Sequence, residues 1–225
     1  MIFPELYILR HGETERHNCL YGHLDLALSA RGQAQAQAQA QALKHIALTK
    51  VASSDLVRAR FGARQVIEAQ ATPPPWQQTP DLREMNMGDA EGMGYAEARE
   101  AFPILEGKGY GDLLDVQLPG GESARDVYKR ARAWVAGFIR EHAGQGRQNL
   151  AIVAHNAVNR LLLAHCATGQ PDCYGRFDQH TGCINRIDFD EEEIKLREAI
   201  DVGDSGRKPL SAQRKQQAIK RLQIV

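Results

Sequence analysis

The chain has 225 residues, and its 28 Lys and Arg side chains balance 28 Asp and Glu side chains, so the formal net charge is zero. This balance disfavours nucleic acid as a partner, because domains that bind nucleic acid usually carry a basic excess. The composition, 43% hydrophobic and 25% charged, is that of a globular domain and excludes a disordered chain. No run of 18 apolar residues and no signal-peptide pattern is present, which predicts a cytoplasmic protein without a membrane partner.

Length and charge distribution predict one domain followed by a tail. Domains average about 150 residues, so this length indicates one domain with some decoration, placed at residues 1–205. Residues 206–225 carry six basic residues and no acidic one, and are interpreted as a basic C-terminal tail. The four cysteines lack C-x-x-C spacing and are interpreted as reduced thiols. They are Cys19, Cys166, Cys173 and Cys183.

Short apolar runs alternate with longer helical patterns, which predicts an α/β domain with a mostly parallel sheet. Predicted strands cover residues 6–9, 51–54, 77–79, 150–154, 184–189 and 194–199. Predicted helices cover residues 33–42, 56–70, 123–142 and 156–167. The last two strands flank the acidic turn 190–193 and form a hairpin at the sheet edge, which could pair across a homodimer.

The first predicted helix contains an unusual repeat, because residues 33–42 are five Gln-Ala pairs. The strict alternation could indicate a strand. Ala and Gln are strong helix formers and neither is β-branched, so helix is preferred, with Ser29 as its N-cap. We predict that the glutamines form a solvated face.

Two histidines follow predicted buried strands directly. Arg10-His11-Gly12 follows the first strand, and His155 follows the strand at residues 150–154. Ligands of open α/β sheets bind outside the carboxyl ends of strands, so the two histidines are expected to converge on one crevice. The remaining histidines are predicted to be packed or surface residues: His17, His23, His45, His142, His165 and His180.

Six segments resemble motifs of the histidine phosphatase superfamily, the phosphoglycerate mutase-like proteins. They occur in the same order as in that family and cover roughly residues 5 to 190. The resemblance implies a three-layer α/β/α sandwich with a mostly parallel central sheet. The segments are Leu9-Arg10-His11-Gly12-Glu13-Thr14, residues 22–34, Ser53-Ser54-Asp55-Leu56-x-Arg58-Ala59, Leu82-x-Glu84-x-x-x-Gly88-x-x-Glu91-Gly92, Pro119-Gly-Gly-Glu122-Ser123 and Val153-Ala154-His155.

The resemblance also implies a role for each matched catalytic residue. His11 would be the nucleophile that forms a phosphohistidine, and Arg10, Arg58 and His155 would bind the phosphoryl group. Glu84 would protonate the leaving alcohol and then activate water. Guanidinium groups stay charged and match phosphate geometry, so no metal ion or other cofactor is expected.

Two positions depart from the family pattern next to the phosphate. The family usually has asparagine six positions after the nucleophile, where this chain has His17. Asn18 is the predicted phosphate contact, and His17 is the alternative. The family usually has glycine after the second histidine, where this chain has Asn156, which is included among the predicted substrate contacts.

Residues 85–122 are glycine-rich and are predicted to be a lid-like loop with short helices. Five side chains could shape an apolar lid that selects the substrate, or could simply pack the loop onto the core. Glu91 offers a second carboxylate beside Glu84, but it and Glu122 are predicted to be structural. The five side chains are Met85, Met87, Met93, Tyr95 and Phe102.

The family contains both phosphatases and cofactor-dependent mutases. Glu84 and His155 are 71 positions apart, which resembles the shorter phosphatase branch, including phosphatases of the α-ribazole phosphate type. The first hypothesis is a phosphomonoester hydrolase acting on a small phosphorylated metabolite. The alternatives are a 2,3-bisphosphoglycerate-dependent phosphoglycerate mutase and a non-catalytic protein that binds a phospholigand.

Overall fold

A six-stranded sheet forms the centre of a computed structural model that describes residues 4–16, 18–189 and 194–201. His17, the acidic turn 190–193 and the predicted tail 206–225 lie outside these residues. The strands are β1 (Glu5–Arg10), β2 (Lys50–Ser54), β3 (Trp76–Thr79), β4 (Asn149–Ala154), β5 (Cys183–Phe189) and β6 (Ile194–Asp201). The helices are α1 (Ala30–Leu43), α2 (Val57–Glu68), α3 (Tyr95–Ala101), α4 (Ala124–His142) and α5 (Asn156–Thr168).

The strand order is β3-β2-β4-β1-β5-β6, and the first four strands in this order are parallel to one another. β5 and β6 pair antiparallel at one edge, as the predicted hairpin. β1 and β4 are neighbours, with Arg10 opposite Ala154. The next residue of each chain segment, His11 and His155, therefore leaves the sheet at the same edge.

The sheet is covered by helices on both faces, which confirms the three-layer α/β/α sandwich. Leu6 and Ile8 of β1 pack with α4 and α5, whereas Tyr7 and Leu9 pack with α1 and α2. This division follows from the two-residue period of side chains along a strand. Within the described ranges, no helix has both the length and the apolar character needed to cross a membrane.

The Gln-Ala repeat is helical, and the Ser29 hydroxyl accepts a hydrogen bond from the Gly32 amide at 3.0 Å as predicted for an N-cap. The predicted solvated glutamine face is wrong in part, because Gln35 and Gln39 are 5% and 0% exposed. An alternation of period two, placed on a helix of 3.6 residues per turn, distributes glutamines around the whole circumference. Some of them must therefore face the sheet.

The loop at residues 85–122 carries α3 and three short 3₁₀ turns, and it packs both on itself and on the main core. Its small apolar cluster contains Ala90, Ala98 and Leu118, against which Met87, Met93 and Phe102 also pack. Met85 lies instead in the main core. Four of the five lid candidates thus pack the loop, whereas the side chain of Tyr95 is 55% exposed.

Candidate active site

His11 and His155 meet at the carboxyl edge of the sheet. Their ring centroids are 5.0 Å apart with an edge-to-face angle of 61°, and both side chains are buried. Burial, followed by the positive charge of Arg58, lowers the pKa of each imidazole well below its usual value of 6.5, and Arg10 adds to the effect. Both rings are consequently neutral at pH 7.

The tautomer of His11 is set by the main chain beside it. Its Nδ1 lies 2.6 Å from the carbonyl oxygen of Gly12, so in the neutral ring Nδ1–H donates and the Nε2 lone pair is available. Gly12 is needed because a Cβ at this position would overlap the carbonyl oxygen of Gly32, in the first turn of α1. Close packing between the β1 loop and α1 thus orients the ring.

Arg58, in the first turn of α2, is fully buried and held by main-chain carbonyls of the loop after β1. Its Nη1 donates to Leu24 at 2.8 Å and its Nη2 donates to Gly22 at 2.7 Å. The same loop supplies the Asp25 carboxylate, which accepts from the Val57 amide at 2.7 Å and so caps α2. These contacts fix the guanidinium against the histidines.

Several donors of the site have no hydrogen-bond partner in the described part of the chain. They are the Nε atoms of Arg10 and Arg58 and the one ring N–H of the neutral His155, neither of whose ring nitrogens has a hydrogen-bond partner. Arg10 donates through Nη1 to the carbonyl of Gln179. Buried donors without partners are costly, so this cluster of cationic and neutral donors is suited to an anionic ligand.

Glu84 places one carboxylate beside these donors. Its side chain is buried, and Oε1 accepts from the amides of Met85 and Ala157, both at 3.0 Å. Ala157 lies in the first turn of α5, two residues after His155, so Glu84 sits at the positive end of that helix. The negative charge of Glu84 also opposes the lowering of the Arg58 pKa by burial.

Two buried glutamine side chains of α1 form hydrogen bonds with the chain at the end of β1 and just after it. Gln39 Nε2 donates to the carbonyls of Arg10 at 2.9 Å and Cys183 at 3.1 Å. Gln35 Oε1 accepts from the amide of Glu13 at 2.8 Å. The sequence analysis missed both residues, although their spacing of four positions is a signal that they share one face of the helix.

Within the described residues, Asn18 and Asn156 form no hydrogen bond with the donors of the site. Asn18 is exposed, and no hydrogen bond joins its side chain to the other site residues within the described ranges. Asn156 is the first residue of α5, and its Oδ1 accepts from Arg160 Nε at 2.9 Å.

Glu91 and Glu122 have structural contacts. Glu91 accepts from the main-chain amides of His23 at 2.6 Å and Leu24 at 2.8 Å, and Glu122 forms a two-pronged ion pair with Arg130. These contacts agree with the predicted structural role of both residues.

The donors of the site are the guanidinium nitrogens of Arg10 and Arg58 and the imidazole nitrogens of the two histidines. In residues 4–16, 18–189 and 194–201, no three His, Cys, Asp or Glu side chains are grouped to hold a metal ion. Chemically, the crevice offers a neutral imidazole nucleophile, two guanidinium groups and a carboxylate that can transfer a proton.

Known proteins resemble this chain both in sequence and in structure. A family model described as the histidine phosphatase superfamily (branch 1) matches residues 6–202. An adenosylcobalamin/alpha-ribazole phosphatase of Salmonella typhimurium is 31% identical over 194 residues, or 85% of this chain and 94% of that protein. A broad-specificity phosphatase of Saccharomyces cerevisiae is 34% identical over 164 residues, or 70% and 68% of the two chains. The structure of the alpha-ribazole phosphatase from Shigella flexneri has a TM-score of 0.75 and 26% identity, covering 91% and 100% of the chains.

Proposed function

Because the chain belongs to the histidine phosphatase superfamily, we propose that it is a phosphomonoester hydrolase that acts on a small phosphorylated metabolite through a phosphohistidine. The observation that carries the proposal is the neutral His11, held by Gly12 and surrounded by donors without partners. The phosphatase names of the two relatives described above support hydrolysis over mutase chemistry.

In the first step, the Nε2 lone pair of His11 attacks phosphorus, and the N–P bond forms as the P–O bond to the leaving alcohol breaks. Glu84, in its protonated form, gives its proton to the leaving oxygen. The guanidinium groups of Arg10 and Arg58 and an N–H of His155 stabilise the charge on the phosphoryl oxygens. The alcohol departs neutral and the phosphoryl group stays on His11.

In the second step, water replaces the alcohol. The Glu84 carboxylate removes a proton from water as the water oxygen attacks phosphorus. The N–P bond breaks, its electron pair returns to Nε2 of His11, and inorganic phosphate leaves. Both steps use only side chains of this protein, so the proposed mechanism needs no metal ion or cofactor.

The proposed substrate contacts include Asn18 and Asn156 in addition to the charged residues. Their amides can donate to oxygen atoms of the substrate, as Asn156 stands beside His155 and Asn18 is open to solvent. The proposed setting is the cytoplasm, and the edge hairpin of β5 and β6 is the proposed contact of a homodimer.

Hydrolysis of p-nitrophenyl phosphate tests the proposal. We expect His11→Ala to lower kcat by at least about 10⁴-fold, because the nucleophile is removed. His45→Ala, a change at an exposed histidine, is the matched control and should keep full activity. Brief mixing with a ³²P-labelled substrate should label the wild type through an acid-labile bond and should not label His11→Ala.

A panel of phosphorylated metabolites identifies the leaving group and tests the alternatives. Phosphate binding without turnover of any ester would contradict hydrolysis in favour of a binding protein. Bisphosphate-dependent conversion of 3-phosphoglycerate to 2-phosphoglycerate would instead show a mutase. Activity should persist in EDTA, and its loss there would rule out the metal-free mechanism.

A further inference from the structure

Two side chains from separate elements donate to the main-chain carbonyl oxygen of Glu84. They are Nη2 of Arg130, on α4, and Nε2 of His23, in the loop after β1, each at 3.0 Å. A residue's carbonyl and its side chain share one Cα, so anchoring this carbonyl fixes the point from which the carboxylate extends.

Arg130 is itself fixed by an ion pair and a second carbonyl. Its Nε and Nη2 donate to the Glu122 carboxylate at 2.8 and 2.9 Å, and its Nη1 donates to the carbonyl of Asp81 at 2.7 Å. Glu122 Oε2 also accepts from the amide of Asn86 at 3.0 Å. One arginine–glutamate pair therefore ties down both ends of the segment 81–86 that carries Glu84.

From these contacts we propose that Arg130 is a positioning residue for the carboxylate of Glu84, an inference that rests on the proposed role of Glu84 as the acid. Arg130 holds the main chain, while the amides of Met85 and Ala157 hold the carboxylate. A general acid works only within hydrogen-bond reach of the leaving oxygen, and a displacement of about 1 Å can cost about 10²-fold in rate. The planar fork of arginine supplies these contacts together, which a lysine ammonium does not.

The leaving group distinguishes positioning from a general structural role. A nitrophenolate departs without a proton, whereas an alkoxide needs one from the acid. Displacing the acid should therefore lower kcat/KM, which reports the phosphorylation of His11 and not the later attack of water, far more for alkyl phosphates than for p-nitrophenyl phosphate. A general defect in folding or phosphate binding should slow both reactions equally.

The experiment compares Arg130→Gln with the wild type on p-nitrophenyl phosphate and on the best alkyl phosphate of the metabolite panel. We expect kcat/KM to fall about 10²-fold on the alkyl ester and less than about threefold on the nitrophenyl ester. Arg125→Gln is the matched control, because Arg125 lies on the same helix but forms an exposed pair with Asp115. It should leave both reactions unchanged.

Equal losses of kcat/KM on the two substrates, or no loss on either, would overturn the positioning role. Glu84→Gln tests the underlying function separately, since an acid role requires that this variant also lose kcat/KM selectively on the alkyl ester. A failure of selectivity in Glu84→Gln refutes the acid itself, and the inference with it. If Arg130→Gln does not fold, Arg130→Lys is measured in the same way, and the same selective loss is required of it.

Discussion

The strand-end side of the site, residues 10–12 and 154–157, and the loop side, residues 85–122, are attached to the fold in different ways. The strand-end side continues two central strands, and its histidines are buried between the two helical layers. The loop side follows Glu84 and packs through a small cluster of its own, while Met85, Tyr110 and Leu114 attach it to the main core. The phosphate-binding chemistry therefore shares the stability of the core, whereas the loop can rearrange locally.

The strongest test of this comparison is Gly12→Ala on the strand-end side. The added methyl overlaps the carbonyl of Gly32, so the β1 loop must separate from α1. We expect a loss of about 3 kcal/mol in the free energy of unfolding together with loss of activity. Urea unfolding measures the first quantity and p-nitrophenyl phosphate hydrolysis the second.

Gly137→Ala is the matched control, because no atom lies within 4 Å of the added methyl on α4. It should stabilise the helix by up to about 1 kcal/mol. A Gly12→Ala variant with wild-type stability and activity would show that the strand end is not rigidly packed.

A smaller effect on the same side is expected from Gln39→Leu, which removes the donor to the carbonyls of Arg10 and Cys183. Two buried carbonyls lose a partner, and we expect a loss of about 2 kcal/mol in the free energy of unfolding. Gln37→Leu changes an exposed glutamine of the same helix and should stay within about 0.5 kcal/mol. Equal effects of the two variants in urea unfolding would refute a supporting role for Gln39.

The two buried histidines of the strand-end side should also make the free energy of unfolding depend on pH. His11 and His155 have native pKa values below the ordinary 6.5, so the unfolded chain binds more protons as pH falls below that value. Stability is therefore fully present above pH 6.5 and is lost as pH falls towards the native pKa values, by up to about 1.4 kcal/mol per pH unit for each histidine.

Urea unfolding at several pH values measures this slope. The variant His11→Asn should show a shallower dependence than the wild type, whereas the exposed-site variant His45→Asn should not. Stability that rises on acidification below pH 6.5 would contradict burial of neutral histidines.

The smallest change in global stability is expected on the loop side. Leu118→Ala should accelerate amide exchange in α3 while changing the global free energy of unfolding by less than about 0.5 kcal/mol, because the loop cluster opens locally. Leu161→Ala, in the main core, should cost about 3 kcal/mol. If the two variants were equally costly in urea, the loop and the core would unfold as one unit, and the comparison would fail.

The sequence predicted those features of the site that follow from residues close together along the chain. The apolar strands before His11 and His155 predicted the shared sheet edge, since parallel neighbours end together. It failed where partners are distant along the chain. The Gln-Ala repeat indicates helix but not which glutamines face the sheet, and the contact of Arg130 with the carbonyl of Glu84 depends on how α4 packs on a segment 46 positions earlier.

The pairing of β1 with β4 also determines where this chain tolerates insertions. The separation of His11 from His155 is set by the register of Arg10 opposite Ala154, and not by the number of residues between them. A longer or shorter segment within residues 85–122 leaves that separation unchanged. A slip of one residue between the strands would turn the side chains of one strand to the opposite face. Lineages of this fold are thus free to lengthen the loop around new leaving groups while inheriting the same pair of histidines.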